Sequence, residues 1–247
     1  MLDTTVTGSV FAKCLRNLGL RSDDLLMVHA SLKSFGYFEG GAEGVIDTLM
    51  SVVKDGTIVM PTYTRRCFQP DSSAFEPTTE PSTNGIITEC FRQRQDVIRQ
   101  PNDPRHPMAV WGRDQKALIE ARPGSAYGFF LERGGRTLLI GVGHETHSFV
   151  HWMVDEALRG KPIQADRKIL SILFPRLEPW FVREGVQQTD TCGGSTLRLV
   201  DVASAAEAVL LALKEKPDLL GPPATEEELA RPINTVERRR WIFDIFH

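Results

Sequence analysis

Apolar and polar positions follow two different periods along the chain, which predict an alternation of helices and strands. A helical period from Thr7 to Leu18 is followed by the short apolar run LLMVHA, Leu25–Ala30, which is typical of a buried strand. A second amphipathic helix is predicted at Ala42–Val53 and a second buried strand at Thr57–Met60. The order strand, helix, strand favours a parallel strand pair joined by a helical crossover.

The same alternation continues through the rest of the chain. The predicted elements are a helix at Ser82–Gln95, a strand at Arg105–Gly112, a helix at Asp114–Arg122, a strand at Arg136–Gly143 before a histidine-rich helix, a strand at Leu197–Val202 and a helix at Ala203–Lys214. The polar, proline-rich residues 65–81 predict a long surface loop, and residues 224–247 predict a C-terminal helical tail. We therefore expect a single α/β domain over residues 1–247.

Charge and cysteine content narrow the functional classes. The chain has 29 basic and 32 acidic residues, and a net charge of −3 gives no indication of nucleic-acid binding. The four cysteines form no C-x-x-C pair, which argues against a disulfide framework or a structural zinc site. No stretch has the ~18 uninterrupted apolar residues of a membrane span, so we expect a cytoplasmic protein without a membrane partner.

Candidate chemistry is concentrated in HETHSFVHWMVDE, residues 144–156, which holds three of the six histidines. The register of a zinc-protease helix would need a histidine at position 148, which is Ser148. His147, His151 and Asp155 are each four residues apart and would share one helical face. A metal site with two histidines and one carboxylate, or a proton-transfer site, would both fit this spacing.

Several motifs occur in an order that resembles the aminoglycoside 3-N-acetyltransferase family. They are the H-x-S-L-x-x-x-G turn at His29, the G-G-A segment at Gly40, the G-T-x-x-M-P strand at Gly56, and S-x-N-G-I-x-T-E at residues 82–89, followed by R-x-x-x-x-x-R-H-P at residues 99–107, L-L-I-G-V-G at residues 138–143 and S-x-x-H at residues 148–151. The similarity covers about residues 8–215. It implies an α/β/α layered fold with a central mixed, largely parallel sheet, and acetyl-CoA-dependent acetylation of the 3-amino group of aminoglycoside antibiotics.

The resemblance also implies roles for particular residues. It places the coenzyme along the first turn and the start of the S-x-N-G helix, so the expected contacts are Ser31, Leu32, Lys33, Ser34, Phe35 and Asn84. It places the catalytic histidine at His151, which would act as general base in a direct transfer. Ser148 occupies the family's threonine position and is a candidate donor to the oxyanion.

One departure from the family pattern affects the expected carboxylate. Relatives typically carry a glutamate three residues after the histidine, and this chain has Val154 there. Asp155 is the nominated orienting carboxylate, with Glu156 second, because Asp155 lies one helical turn beyond His151. The expected substrate contacts are His147, Asp155, Glu156 and Asp190, although His147 taken alone is expected in solvent.

Several alternatives stay open at this point. The same acetyl transfer could act on another small amine natural product or metabolite, and the His147, His151 and Asp155 face could belong to a metal-dependent hydrolase. A non-catalytic coenzyme-A-binding protein is the third alternative. For the leading hypothesis we expect no resident metal, a small-molecule amine and acetyl-CoA as partners, and a monomer or homodimer.

Overall fold

Seven strands form one mixed sheet in the computed structural model, which describes residues 5–64, 75–101, 106–121, 126–157 and 172–221, together with residues 225 and 228. The strands are β1 Leu25–Ala30, β2 Thr57–Pro61, β3 Ile98–Arg99, β4 Met108–Gly112, β5 Arg136–Ile140, β6 Gln187–Cys192 and β7 Ser195–Asp201. Their order across the sheet is β3-β4-β2-β1-β5-β7-β6. This confirms the predicted α/β fold with a mixed central sheet.

Parallel pairing is limited to the centre of the sheet. β1 is parallel to β2 and to β5, whereas the pairs β2–β4, β3–β4, β5–β7 and β6–β7 are antiparallel. The expectation of a largely parallel sheet is therefore wrong outside the three central strands. The turn at Gly193 and Gly194 joins β6 directly to β7, and so short a connection permits only antiparallel pairing.

Helices cover both faces of the sheet and bury two apolar clusters. The helices are α1 Gly8–Asn17, α2 Gly41–Val52, α3 Ile86–Arg92, α4 Gln115–Glu120, α5 Ala126–Glu132, α6 Ser148–Ala157, α7 Glu178–Arg183 and α8 Val202–Glu215. Residues of α1, α2 and α3 form the cluster on one face, and residues of α4 to α8 form the cluster on the other. The α/β/α layering expected from the resemblance is confirmed.

The helix predicted at Ser82–Gln95 is shorter in the structure, where α3 spans Ile86–Arg92. Gly85 precedes it with a φ of 103°, a left-handed conformation that ends helical geometry on that side. The backbone N–H of Ser82 donates to the Glu89 carboxylate, and the N–H of Asn84 donates to the Ser82 hydroxyl. Residues 82–85 therefore form a hydrogen-bonded turn that leads into the helix.

Other differences between the predicted and the observed elements concern the end of one strand, the edge strands and two helices. The strand predicted at Arg136–Gly143 ends at Ile140, because Gly141 has a φ of 62°. The edge strands β3 and β6 and the helices α5 and α7 had no clear period in the sequence. Residues 65–74 of the predicted loop and nearly all of the predicted tail lie outside the described residues.

Candidate active site

The candidate site lies where two central parallel strands end side by side. β1 ends at Ala30 and β5 ends at Ile140, and the two residues are register partners. The N–H of Ser31 donates to the carbonyl of Ile140 at 2.9 Å, so the segments that follow both strands begin together. The carboxyl end of parallel strands is the edge at which α/β proteins place their ligand sites.

The segment after β5 folds into a tight turn and then helix α6. A 3₁₀ turn at His144–Thr146 follows Gly143, and its ends are closed by local bonds. The Gly143 N–H donates to the Glu145 carboxylate at 3.0 Å, and the Thr146 hydroxyl donates to the Gly143 carbonyl at 3.0 Å. Because His147 precedes the first residue of α6, it does not share a helical face with His151 and Asp155 in the way that the sequence spacing predicts.

His144 and His147 are buried and form one end of a chain of polar contacts. The two Nδ1 atoms lie 3.2 Å apart, and His144 Nε2 lies 2.8 Å from Gln187 Oε1. Gln187 Nε2 donates to Glu178 at 3.1 Å, and Glu178 accepts from Arg198 at 2.8 Å. We call these five residues, His147, His144, Gln187, Glu178 and Arg198, the buried histidine network.

Burial keeps both histidines of this network neutral near pH 7. Desolvation lowers the pKa of His144, although the hydrogen bond to Gln187 opposes this shift. Desolvation holds the pKa of His147 well below its ordinary value, and the neighbouring His144, His29 and His151 act in the same direction. The expectation of a solvent-exposed His147 is wrong, since its side chain has 0% exposure.

His151 stands in a more accessible position on the first turns of α6. Its ring is half-buried, and Nε2 lies 3.4 Å from the carbonyl oxygen of Glu145. The ring of Phe174 packs edge-on against it with centroids 4.6 Å apart. A carbonyl oxygen can only accept, so this contact favours the tautomer with a proton on Nε2 and a lone pair on Nδ1.

Ser148 links the histidine segment to strands β1 and β2. Its backbone N–H donates to His29 Nε2 at 3.4 Å, and its hydroxyl lies 3.4 Å from the hydroxyl of Tyr63. His29 lies in strand β1, and its side chain is 7% exposed. Three functional groups, an imidazole and two hydroxyls, thus meet at the start of α6.

The turn after β1 carries most of the predicted coenzyme contacts. Residues 32–35 form a 3₁₀ turn in which Ser34 Oγ lies 2.7 Å from the Ser31 carbonyl and 2.8 Å from Ser195 Oγ. Leu32 is half-buried and Lys33 is exposed, so both are accessible to a ligand. Phe35 is 2% exposed and packs against Phe11 and Phe38, which places its ring in the core.

Four predicted residues remain, Asn84, Asp155, Glu156 and Asp190. Asn84 is half-buried beside α3, and its Oδ1 atom is buried without a hydrogen-bond partner among the described residues. Asp155 and Glu156 are both exposed on α6. Asp190 lies three residues after Gln187 on β6, so the two side chains are on opposite faces of the strand. Asp190 shares its face with Cys192, which packs in the apolar cluster that contains residues of α1. Burial raises the pKa of the Cys192 thiol to about 12, which is typical of a packed, unreactive cysteine.

The orienting role predicted for Asp155 stays a prediction. Its carboxylate is exposed, and the atom that faces the His151 ring nitrogen at 3.4 Å is the backbone carbonyl of Glu145. Among the described residues, no three histidine, cysteine or carboxylate side chains come together in a group suited to a metal ion. The metal-hydrolase alternative therefore has no preformed ligand set in this part of the chain.

Gln187 and Glu178 are the site residues that the sequence reasoning missed. Residues 161–187 have no clear period, and Gln187 opens an unpredicted edge strand. Its weak signal is a pair of adjacent glutamines at the start of the segment QQTDTC, which carries no spacing relation to the histidine segment. Only the pairing of β6 with β7 brings it to His144.

Three comparisons relate the chain to known proteins. The family model described as aminoglycoside 3-N-acetyltransferase matches residues 27–172. Aminoglycoside N(3)-acetyltransferase III of Salmonella sp. is 31% identical over 169 residues, and the match spans 59% of this chain and 59% of that relative. The chain thus covers less than two thirds of the relative's length.

Solved structures show the same fold. The apoenzyme of aminoglycoside acetyltransferase AAC(3)-IVa matches with a TM-score of 0.76 at 22% identity, over 98% of this chain and 100% of that chain. AAC-IIIb in binary complex with CoASH matches with a TM-score of 0.73 at 20% identity, over 90% of this chain and 100% of that chain. Over the described ranges, no helix has both the length and the apolar character that crossing a membrane requires.

Proposed function

Because the chain belongs to the aminoglycoside 3-N-acetyltransferase family, we propose that it transfers the acetyl group of acetyl-CoA to an amino group of a small molecule. The first candidate acceptor is the 3-amino group of an aminoglycoside antibiotic, since the 31% identical relative is named for that reaction. CoASH in the AAC-IIIb complex and apramycin in a complex of a histidine-to-alanine variant of AAC(3)-IVa support the two ligand classes.

The observation that carries this proposal is the placement of His151. It is a half-buried imidazole on the first turn of helix α6, three residues after Ser148, whose N–H donates to His29 of strand β1. An accessible imidazole can take up a proton near neutral pH, whereas His144 and His147 are kept neutral by burial. His151 is therefore the general base in the proposed reaction.

The proposed step balances as a direct acyl transfer. The amine nitrogen attacks the thioester carbonyl carbon, a C–N bond forms and the C–S bond breaks. The proton of the attacking nitrogen passes to Nδ1 of His151, because Nε2 faces the Glu145 carbonyl. The sulfur leaves as a thiolate and takes up the proton held by His151, which completes coenzyme A and restores the neutral imidazole.

Two other parts of the site have supporting roles in this proposal. The hydroxyl of Ser148 donates to the oxygen that becomes negative as the amine attacks. The 3₁₀ turn at residues 32–35 and the exposed charge of Lys33 contact the coenzyme, with Ser31, Leu32 and Ser34 in the same turn. Phe35 supports this turn from within the core rather than through direct contact.

The experiment is an acetyl-transfer assay with a panel of amines. Purified protein is mixed with acetyl-CoA and either 2-deoxystreptamine aminoglycosides or simple amine metabolites, and free thiol and acetylated product are both measured. We expect thiol release matched by a product acetylated at the aminoglycoside 3-amino group. If only the other amines are acetylated, the acceptor is one of those amines and not an aminoglycoside. No turnover with any amine would overturn the proposal.

A further inference from the structure

The hydrogen-bond pattern of Gln187 fixes which nitrogen atoms of the buried histidines carry protons. Gln187 Nε2 lies 3.1 Å from the Glu178 carboxylate and 3.2 Å from the Thr189 hydroxyl. Burial opposes ionisation of Glu178, but hydrogen bonds from Arg198 and Gln187 keep its pKa below the ordinary value, so the carboxylate is an acceptor. The amide nitrogen must therefore face Glu178, which leaves the amide oxygen facing His144.

The tautomers of both histidines follow from this orientation. His144 must donate from Nε2 to the amide oxygen, so its Nδ1 carries a lone pair when the ring is neutral. His147 must then donate from its own Nδ1 across the 3.2 Å contact. Nε2 of His147 is left as a fully buried acceptor without a hydrogen-bond partner among the described residues.

The buried histidine network reaches His151 through two separate connections. The carbonyl of His147 accepts from the N–H of Val150 at 2.9 Å and from the N–H of His151 at 3.3 Å, so His147 anchors the first turn of α6. The carbonyl of Glu145, the residue after His144, accepts from the His151 ring. Both the backbone and the ring of His151 therefore depend on where His144 and His147 are held.

From these contacts we propose that the buried histidine network positions the His151 ring for proton transfer, and that Gln187 on edge strand β6 is its key positioning residue. This inference rests on the proposed function, because it assigns His151 the role of base. The network itself takes no proton from the substrate. Its role is to set the orientation and the tautomer of the His151 ring, and the ion pair of Glu178 with Arg198 fixes the far end of the network.

Gln187→Met tests this inference, with Gln188→Met as the matched control. Methionine keeps the length of the side chain but removes the amide, and Gln188 is exposed and bonds to the Gly185 carbonyl instead of the histidines. We expect Gln187→Met to lower kcat about 10- to 100-fold while the KM for acetyl-CoA changes less than about 2-fold. We expect Gln188→Met to stay within about 2-fold of the wild type in both parameters.

A spectroscopic readout separates this inference from the proposed function. Nitrogen NMR of histidine-labelled protein reports the tautomer of each ring without any substrate, with the His151 signal assigned from His151→Ala. We expect Nε2-protonated His151 in the wild type and in Gln188→Met, and a mixture of tautomers in Gln187→Met. Absence of turnover in the wild type would overturn the proposed function, while the tautomers would still decide whether the network orients His151.

A second variant covers the outcome in which Gln187→Met does not fold. His144→Gln can keep a donor near Gln187 but loses the ring atom that meets His147, so we expect a smaller loss of kcat and the same mixed tautomers. The proposal is overturned if His151 keeps its tautomer and kcat in either folded variant. It is also overturned if neither variant folds, since the network would then have a purely structural role.

Discussion

The two halves of the segment from His144 to Glu156 place the same residue type in opposite environments. His144 and His147 have 0% exposure and are held by the buried histidine network. His151 is half-buried, and its ring nitrogen meets a backbone carbonyl at 3.4 Å. Burial keeps an imidazole neutral near pH 7 and holds it as a rigid hydrogen-bonding group. A partly exposed imidazole can accept a proton.

This contrast assigns different tasks to neighbouring histidines. The first two set geometry, and the third performs the proposed proton transfer. A sequence with three histidines in eight residues does not distinguish these tasks, because the distinction depends on which side chains cover each ring.

The largest expected effect is the loss of the half-buried ring. His151→Ala removes the proposed base, and general-base catalysis is typically worth about 10²- to 10⁴-fold in rate. We expect a kcat loss in that range in the acetyl-transfer assay, with acetyl-CoA still raising the melting temperature. Full activity of the variant would contradict the task assigned to His151.

Ser148→Ala tests the hydroxyl that lies between the buried histidines and His151. Loss of a hydroxyl that donates to the developing oxyanion should lower kcat about 10- to 100-fold, with the smaller value applying if backbone N–H groups share the task. Ser148→Thr, which retains a hydroxyl, is the control and should recover most of the rate. Equal kcat for the wild type and the alanine variant would exclude the hydroxyl from the reaction.

The buried rings of His144 and His147 should make the free energy of unfolding depend on pH. His144 and His147 have lowered pKa values in the folded protein, whereas in the unfolded chain they titrate near ~6.5. The unfolded state therefore binds more protons as the pH falls below ~6.5, and the free energy of unfolding should fall by up to about 1.4 kcal/mol per pH unit for each histidine.

Urea unfolding at pH 7.5 and at pH 5.5 measures this dependence. His144→Gln removes one of the two titrating rings, so its stability should fall less steeply with decreasing pH than that of the wild type. Identical slopes for the two proteins would show that His144 is not held neutral by folding.

The smallest expected effect concerns the exposed carboxylate of α6. Asp155→Asn should change kcat less than about 2-fold, because the side chain is exposed and the His151 ring is held by the Glu145 carbonyl. A drop of about 100-fold or more would instead restore the sequence-based prediction that Asp155 orients the base.

The fold was largely predictable from the sequence, for physical reasons. The strand predicted at Leu25–Ala30 is β1 without a change of bounds, because its residues are almost all buried and form one continuous apolar run. The edge strand β6 was missed because its solvent-facing residues, such as Gln188 and Thr189, interrupt any apolar period. Edge strands take their structure from pairing with a neighbour, which no local pattern records.

The candidate site was predictable only where a local motif carries it. Ser148 and His151 follow from motif positions after β5, and their roles stay proposals. The link from Gln187 to His144 joins residues 43 positions apart, so it depends on the sheet order and not on spacing. The expectations that His147 is solvent-exposed and shares a helical face with His151 are wrong, because helical spacing was applied to a buried residue that precedes the helix.

A structure of the protein with coenzyme A and an acceptor amine would test the central claim most directly. We expect the coenzyme sulfur and the amine nitrogen to lie together beside His151, with the amine ~3–3.5 Å from Nδ1 and the sulfur next to the Ser31–Ser34 turn. A complex in which the sulfur lies far from this ring, or in which another side chain contacts the amine nitrogen, would contradict it.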